Sequence, residues 1–581
     1  MSLAGRYASR ACLLMWTLAA IAASGCTSMS DYVHNGFKVG PSYGPPQAQV
    51  AQHWIDVNDQ RLRAESPDLS HWWTVFNDPV LNALICDAYR QNLTLKAAGE
   101  RVMEARAQLA IARGNFFPQT QQAVGGYSRN ANAAAPGVPS GLSRWTDQWN
   151  YGFRLAWELD FWGLYRRQIA SADAALSQSV ESYDAALVTL LGDVAAAYVN
   201  YRQAQQEIAV AKANAALQRW VRDRIQDKLN AGAVNKLDFD QAETNLALLE
   251  AGIPQFEINR RTAEDQLCIL MGMPPWDLRQ RLGETPIPAV SPETVVGIPA
   301  ELLCRRPDVR AAQFAAASQA EQIGIAEADF YPHITIAGTL NYQAQNFGGL
   351  FRNSAFNGSI GPGFAWDILK YGSILGNVRL QDAKFQELVF TYQQTVLQAN
   401  REAEDAIVTF LQAQEREKVL SGQPEHEEVR DGKTVKVPAT GQFAAQEAMQ
   451  IVIWQYIEGA RVANVAVDFN RVAVIEQQLA SEQEQLAQAR GQVANGLIQI
   501  FRALGGGWQI RMAPEEGRVV VPPPAAGKPA EMIETPKVPA PPGGAPDAGK
   551  VIEKKPLPPI PEPVVAPVPI PDVKPDGKPM P

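Results

Sequence analysis

The chain has 581 residues, 46% of them hydrophobic, and a net charge of −9, so it can bury a large core and form two or more domains. The acidic balance excludes the basic surface on which nucleic-acid-binding proteins depend. Five cysteines without a C-x-x-C pair and five scattered histidines argue against a disulfide framework and a zinc site.

The N-terminus is organised like a bacterial secretory signal. Arg6 and Arg10 precede an apolar run that ends in A-S-G before Cys26. The run is too short for a comfortable transmembrane helix. It resembles a lipobox, although Ala23 stands where leucine is usual. We predict a signal peptide over residues 1–25 and a covalent lipid on Cys26; the alternative is an ordinary secretory signal with an incidental cysteine.

The mature chain begins with residues 26–79, which are rich in glycine, proline and aromatic residues and which we expect to be extended. A helical pattern then runs from Val80 to Ile111. Two strands follow, near residues 119–129 and 145–161.

Residues 145–157 alternate large apolar side chains with polar or small ones, a pattern typical of a strand between lipid and water. We predict that Gln148, Asn150 and Arg154 face a water-filled channel. A soluble sandwich core is the alternative reading. The aromatic residues predicted to face lipid, on this strand and on a later one, are Trp145, Trp149, Tyr151, Phe153, Trp157, Phe364 and Trp366.

A helical stretch of unusual length comes next. No proline interrupts residues 163–253, and the apolar positions form a narrow, alanine-rich stripe that needs partner helices to cover it. We predict a helical hairpin that turns at a tip near residues 230–238.

The chain then repeats this order of elements. The segment Q-L-A-I-A-R-G-N-F-F-P at 108–118 recurs as Q-I-G-I-A-E-A-D-F-Y-P at 322–332. We therefore assign residues 80–296 to one repeat and 297–512 to a second. The second repeat has strands near 333–344 and 356–368, a tip near 458–466 and an additional insert at 421–441. Residues 513–581 are proline-rich and are expected to be disordered.

Four strands are too few to close a barrel with an open interior, and open sheet edges are not tolerated in lipid. No further stretch of about 20 apolar residues offers a helical alternative. The chain must therefore oligomerise, and three copies would supply twelve strands.

Four motifs carry a resemblance to a known family: V-G-P-S-Y-G-P-P at 39–46, W-W-T-V-F-N-D-P at 72–79, G-I-P-A-E-L-L-C-R-R-P-D-V-R-A-A at 297–312 and A-L-G-G-G-W at 503–508. With the repeat and the lipobox, they resemble the TolC-type outer-membrane efflux proteins, in the lipoprotein (NodT-like) branch of tripartite RND efflux systems. The resemblance implies an α+β membrane protein: a homotrimer with a twelve-stranded transmembrane β-barrel, four strands per subunit, continued by a long α-helical coiled-coil barrel in the periplasm.

The resemblance also implies partners, namely a periplasmic adaptor protein, an inner-membrane pump and outer-membrane lipid. Its function would be the passive exit of drugs, metals or other small molecules. A duct for protein secretion and a structural coiled-coil tether of the envelope are the alternatives. The sequence has no G-x-S-x-G motif, Walker motif or carboxylate pair in a recognisable catalytic setting, so we expect no enzyme, and no cofactor beyond the lipid on Cys26.

The resemblance assigns roles to the two tips and to the residues after the second tip. The tips would contact the adaptor, and the carboxylate of Asp468 would line a closed periplasmic constriction. Asn464 stands where the family has a bulky apolar residue, and Arg461 could pair with a carboxylate of a neighbouring subunit. The adaptor-contact candidates are Gly232, Ala233, Val234, Asn235, Gly459 and Ala460; the glycines could instead serve only to end their helices.

Overall fold

A computed structural model of the protein describes residues 29–63, 69–131, 145–291, 293–295, 305–430, 433–457 and 468–512. Cys26, Gly459, Ala460, Arg461, Asn464 and the tail at 513–581 lie outside these residues.

The structure alternates long helices with short strands. Its helices are α1 (Met29–His34), α2 (Pro79–Gln91), α3 (Leu93–Gly114), α4 (Leu164–Asn230), α5 (Lys236–Leu270), α6 (Arg279–Leu282), α7 (Pro307–Ala328), α8 (Tyr371–Ser421), α9 (Gly441–Ile457) and α10 (Phe469–Ala503). Its strands are β1 (Leu62–Arg63), β2 (Thr120–Ala131), β3 (Trp145–Glu158), β4 (Thr294–Val295), β5 (His333–Ala344), β6 (Phe356–Ala365), β7 (His426–Arg430) and β8 (Lys433–Val437).

The segment expected to be one helix from Val80 to Ile111 is two helices. Asn92 separates α2 from α3 because its side chain accepts a hydrogen bond from the backbone N–H of Leu95, at 2.8 Å. The same side chain donates to the carbonyl of Leu270, at 2.8 Å. The apolar periodicity continues across this cap, which is why the sequence pattern does not reveal the break.

The long helix α4 has 67 residues and would extend over roughly 100 Å. It begins after Gly163, which has φ 85°; a β-carbon there would lie 2.6 Å from Cγ of Lys38, so this position requires glycine. Helix α4 packs against α5 on one side and α10 on the other, and α10 packs in turn against α8 and α9. The four long segments thus form one layer whose outer members are α5 and α8–α9.

The main core lies where the N- and C-terminal segments meet the middle of this layer. Trp72 stacks on Phe501 with ring centroids 5.3 Å apart. Asp78 caps α2 and accepts a hydrogen bond from the Tyr198 hydroxyl at 2.6 Å. The motifs at 72–79 and 503–508 therefore serve to close this core. A second core lies near the helix tips and includes Phe469.

The principal sheet is antiparallel, in the order β2-β3-β5-β6. Within the described residues, β2 and β6 each have one unpaired edge. Gly152 in β3 allows the neighbouring strand to approach closely, since a β-carbon there would lie 2.2 Å from the carbonyl oxygen of Leu340. The insert at 421–441 contains the hairpin β7–β8 between α8 and α9.

The internal repeat has a structural counterpart at the base of the sheet. The indole N–H of Trp157 donates to the carbonyl of Phe116 at 3.2 Å, and that of Trp366 donates to the carbonyl of Phe330 at 2.9 Å. Both acceptors are the first aromatic residue of an F-F/Y-P turn. The two repeats therefore fix a strand end to the preceding turn by the same contact.

Within the described residues, none of the helices combines the length and the apolar composition needed to cross a lipid bilayer.

Candidate functional site

The four-stranded sheet has one polar and one apolar face. Cross-strand partners share a face, and the register joins Gln122, Arg154, Thr339 and Ser359 in one row. The row two residues further up contains Gly152, Asn341 and Asn357, with Val124 as its one large apolar member. The opposite face carries the aromatic residues, so the predicted alternation of 145–157 extends across all four strands.

The aromatic candidates lie on or beside this apolar face, with different environments. Phe153 and Phe364 are 64% and 75% exposed, and Trp145 is 50% exposed. Trp149 and Tyr151 are half-buried because the segment after β5 folds back over them: Phe347 packs edge-on against Trp149, Phe351 packs against Tyr151, and Tyr342 stacks on Tyr151. Trp157 and Trp366 are half-buried and hydrogen-bonded to the turns.

Trp366 lies one residue beyond the end of β6. Its indole thus contacts the base of the sheet rather than standing within the strand. The sequence pattern did not show whether Trp366 lies within β6 or just after it, because the alternation of large and small residues continues past the last hydrogen bond between the strands.

The base of the polar face holds a paired carboxylate. Glu158 contacts Nδ1 of His333 at 2.5 Å and accepts a hydrogen bond from the hydroxyl of Tyr165 at 3.0 Å. This cluster joins the ends of β3 and β5 to the start of α4. The cluster therefore lies at the junction between the sheet and the long helices.

The N-terminal segment is fixed at the same level. The hydroxyl of Tyr32 donates to the carbonyl of Phe161 at 2.8 Å. The buried guanidinium of Arg167 donates to the carbonyls of Val39, at 2.6 Å, and Gly40, at 2.8 Å, and it pairs with Glu321 at 2.7 Å. The first described residues therefore lie against the end of the sheet.

The first helix tip is a tight turn between α4 and α5. Gly232 has φ 70°, and the N–H of Ala233 bonds the carbonyl of Lys228 at 2.8 Å, which ends α4 in the manner typical of a C-terminal glycine. The side chain of Asn235 accepts a bond from the N–H of Asp238 at 3.1 Å and caps α5. Val234 packs against the tip core, while the other tip residues are exposed.

Asp468, the constriction candidate, is exposed and caps α10. Its carboxylate accepts a bond from the N–H of Arg471 at 3.0 Å, a contact that stabilises a helix start. The remaining candidates of the second tip lie outside the described residues, so whether they approach Asp468 stays a prediction.

Sequence reasoning missed a contact that joins the two helical hairpins near their tips. The hydroxyl of Tyr456, at the end of α9, donates to Asp238 of α5 at 3.3 Å. The ammonium of Lys228, at the end of α4, donates to the carbonyl of Tyr456 at 2.6 Å and lies 5.3 Å from the centre of its ring. Burial, together with Asp238, raises the pKa of Tyr456, so the hydroxyl keeps its proton and remains a donor. We call these three residues the tip clasp.

Glu476 is a second residue that was missed. It is 3% exposed, and neither carboxylate oxygen has a hydrogen-bond partner among the described residues. Burial raises its pKa to about 8, because a charged carboxylate is costly away from water. Its spacing in the sequence could have indicated this burial. Glu476 lies three to four positions after Val472 and Ala473 and three before Leu479, and these three residues are buried on the same face of the helix.

The chain resembles proteins of known role over most of its length. The family model described as outer membrane efflux protein matches residues 84–273 and 298–428. Nodulation protein T of Rhizobium leguminosarum bv. trifolii is 28% identical over 439 residues, which cover 73% of this chain and 86% of that protein. The toluene efflux pump outer membrane protein TtgF of Pseudomonas putida is 27% identical over 507 residues, 84% of this chain and 95% of that protein.

The solved structure of the outer-membrane channel OprN matches this fold with a TM-score of 0.72 and 29% sequence identity. The match covers 81% of this chain and 99% of the OprN chain. The similarity therefore extends over the strands and the long helices together.

Proposed function

The chain belongs to the outer membrane efflux protein family and is an efflux duct of the outer membrane, and we propose that three copies of it form the exit of a tripartite pump. The observation that carries the trimer is the sheet whose outer strands, β2 and β6, each have an edge that no described residue pairs with. An open edge exposes unpaired backbone groups, which lipid cannot satisfy. Pairing β2 of one copy with β6 of the next removes both edges, and three copies give a twelve-stranded barrel.

In this arrangement the apolar face of the sheet meets lipid and the polar face lines the channel. Solutes would pass through the helical tunnel and leave through the barrel. Drugs, metals or other small molecules are the substrates that we expect, and protein secretion is the alternative. The relative TtgF is described as part of a toluene efflux pump, which favours small molecules.

A lipid on Cys26 fits the position of the N-terminal segment. Tyr32 is bonded to the turn beneath β3 and follows Cys26 by only six positions in the sequence. An acyl chain on that cysteine could thus reach the leaflet beside the base of the sheet. We propose that the lipid is the only covalent group that the duct requires.

We propose that the helix tips contact the periplasmic adaptor and that the tip clasp holds them closed. Tyr456 and Asp238 belong to different hairpins, so the tips cannot separate without breaking this bond. Asp468 of each copy would contribute to a ring of carboxylates there, which attracts cations and resists dense closure.

Disulfide cross-linking tests the trimer. Three double variants are made. Each combines a cysteine at Ser359 of β6 with a cysteine at one position of β2, which is Gln122, Val124 or Gly126. At least one pair should give dimers and trimers on a denaturing gel after mild oxidation, and the corresponding single variants should remain monomers. If all three pairs remain monomers in the outer-membrane fraction, the closed barrel is wrong.

A further inference from the structure

One charged side chain on the polar face of the sheet lacks a partner among the described residues. The strands β2, β3, β5 and β6 carry few charged groups, and most of these are engaged: Arg129 approaches Asp147 at 3.6 Å, and Glu158 contacts His333 at 2.5 Å. Arg154 is exposed and makes no hydrogen bond or ion pair with any described residue.

The strand register identifies the neighbours of the Arg154 guanidinium on the polar face. Arg154 is paired with Gln122 on one side and Thr339 on the other, and Thr339 is satisfied by Ser359 at 3.0 Å. The row therefore offers hydroxyl and amide groups but no carboxylate. An unpaired arginine on the lipid side of a barrel strand costs about 2–4 kcal/mol at the bilayer midplane, so this row must face water.

The nearest acidic group on the polar face is Glu158, at the end of β3. It follows Arg154 by four positions, which is about 13 Å along the strand. This distance exceeds the screening length of about 8 Å at physiological ionic strength. The Glu158 carboxylate is moreover held at the base of the sheet by His333 and the hydroxyl of Tyr165, so it does not reach the guanidinium.

We propose that Arg154 makes the outer-membrane part of the duct favour anions, and that the exported solutes it fits carry carboxylate, phosphate or sulfate groups. This inference rests on the proposed trimer, in which three copies of Arg154 form a cationic ring around the barrel. The ring attracts anions and repels cations at one level of the path. The proposed acidic ring at Asp468 lies at the far end of the long helices, many screening lengths away, so the two rings act independently.

Planar-bilayer recording of the full chain under a potassium chloride gradient tests this inference. All variants are made in a Tyr456→Phe background, so that a closed tip does not limit the current. Arg154→Gln should lower the chloride-to-potassium permeability ratio by roughly twofold to fivefold, and Arg154→Glu should lower it further. Arg154→Lys, which keeps the charge, should retain the ratio.

Arg129→Gln is the matched control. It removes the other strand arginine, which lies on the apolar face beside Asp147, and should leave the ratio unchanged. A ratio that is the same in the background protein and in its Arg154→Gln and Arg154→Glu variants would overturn the anion ring while leaving the duct intact. A complete lack of conductance in the background protein, also after Asp238→Asn has removed the acceptor of the tip clasp, would instead overturn the proposed duct, and the ring with it.

Discussion

At the scale of single residues, the structure shows buried polar groups that the sequence presents as ordinary surface charges. Glu476 occupies an apolar position of α10 without a hydrogen-bond partner among the described residues. Arg167 is 1% exposed yet has several partners. The buried Glu476 therefore lowers the stability of the fold, whereas the hydrogen-bonded Arg167 raises it. Only the surroundings of the two side chains distinguish these effects.

Glu476→Gln should stabilise the protein at alkaline pH. The folded state raises the pKa of this carboxyl to about 8, above its ordinary value of 4.5, so the folded state binds the proton more tightly. Wild-type stability therefore falls as pH rises from about 4.5 to about 8, by up to ~1.4 kcal/mol per pH unit. The amide does not titrate and avoids this loss.

Thermal unfolding at pH 4.5 and pH 8.5 measures the effect. The melting temperature of Glu476→Gln should exceed that of the wild type at pH 8.5 and match it at pH 4.5. Exposed Glu447 provides the control, because Glu447→Gln should change neither value. An equal gain at both pH values would show that titration of Glu476 is not the cause.

Gly324→Ala should loosen the N-terminal segment. A β-carbon at Gly324 would lie 2.1 Å from Nε of Arg167, so the guanidinium must move and lose its bonds to Val39 and Gly40. We expect a destabilisation of roughly 2–4 kcal/mol, measured by chemical unfolding. Gly376→Ala, a helical glycine with open space around it, should be neutral or slightly stabilising; similar losses in both variants would contradict the steric argument.

At the scale of elements, the molecule is a layer of long helices whose tips are joined by few specific contacts. The tip clasp connects α4, α5 and α9 through Lys228, Asp238 and Tyr456. Because it joins the two hairpins at their ends, we expect a small change there to alter the proposed opening at the tips.

Tyr456→Phe should favour an open tip. It removes the hydroxyl bond to Asp238 but keeps the ring under the Lys228 ammonium. One such bond contributes about 1 kcal/mol, so the loss of three in a trimer, about 3 kcal/mol, would shift the closed-to-open equilibrium by roughly a hundredfold. Single-channel recording should show a higher open fraction, and cells should become more sensitive to large antibiotics.

Tyr127→Phe is the control for this experiment. Its hydroxyl bonds Asp147 in the sheet, far along the chain from the tips, and its loss should leave the open fraction unchanged. If Tyr456→Phe also leaves the open fraction unchanged, the clasp does not hold the tips closed.

At the scale of the whole molecule, two attachments to the membrane are expected: the strands and the lipid. In the proposed trimer the strands depend on neighbouring copies, whereas the predicted lipid would belong to each chain by itself. A lipid anchor holds a protein less firmly than a spanning structure does, so the strands should determine location.

Cys26→Ser should abolish metabolic labelling with palmitate, and the protein should still fractionate with the outer membrane. Cys12→Ser, a change within the predicted signal peptide, should keep the label. Persistence of the label in Cys26→Ser would contradict lipidation at this residue. Loss of the protein from the outer membrane would show instead that the lipid, and not the barrel, determines its location.

The predicted family, efflux function and outer-membrane location are confirmed by the comparisons. These predictions succeeded because they rest on short motifs and on a repeat, which are properties of the sequence itself. The roles of Asp468 and of the tip residues stay predictions. Gly232 and Asn235 have local tasks as helix-ending and helix-capping residues, and such tasks neither require nor exclude contact with an adaptor.

The sequence by itself determined the periodic features, namely the alternating strands and the long helices, and from the number of strands it predicts partner copies. Periodicity depends on near neighbours in the chain, so it can be read without a fold. The tertiary structure decided which distant residues meet. Tyr456 reaches Asp238 across 218 positions, and Glu476 loses water only because other helices cover it. The register of β3 with β2 and β5 likewise identified Arg154 of the 145–157 stretch as a charge without a partner among the described residues, since pairing across strands is a property of packing.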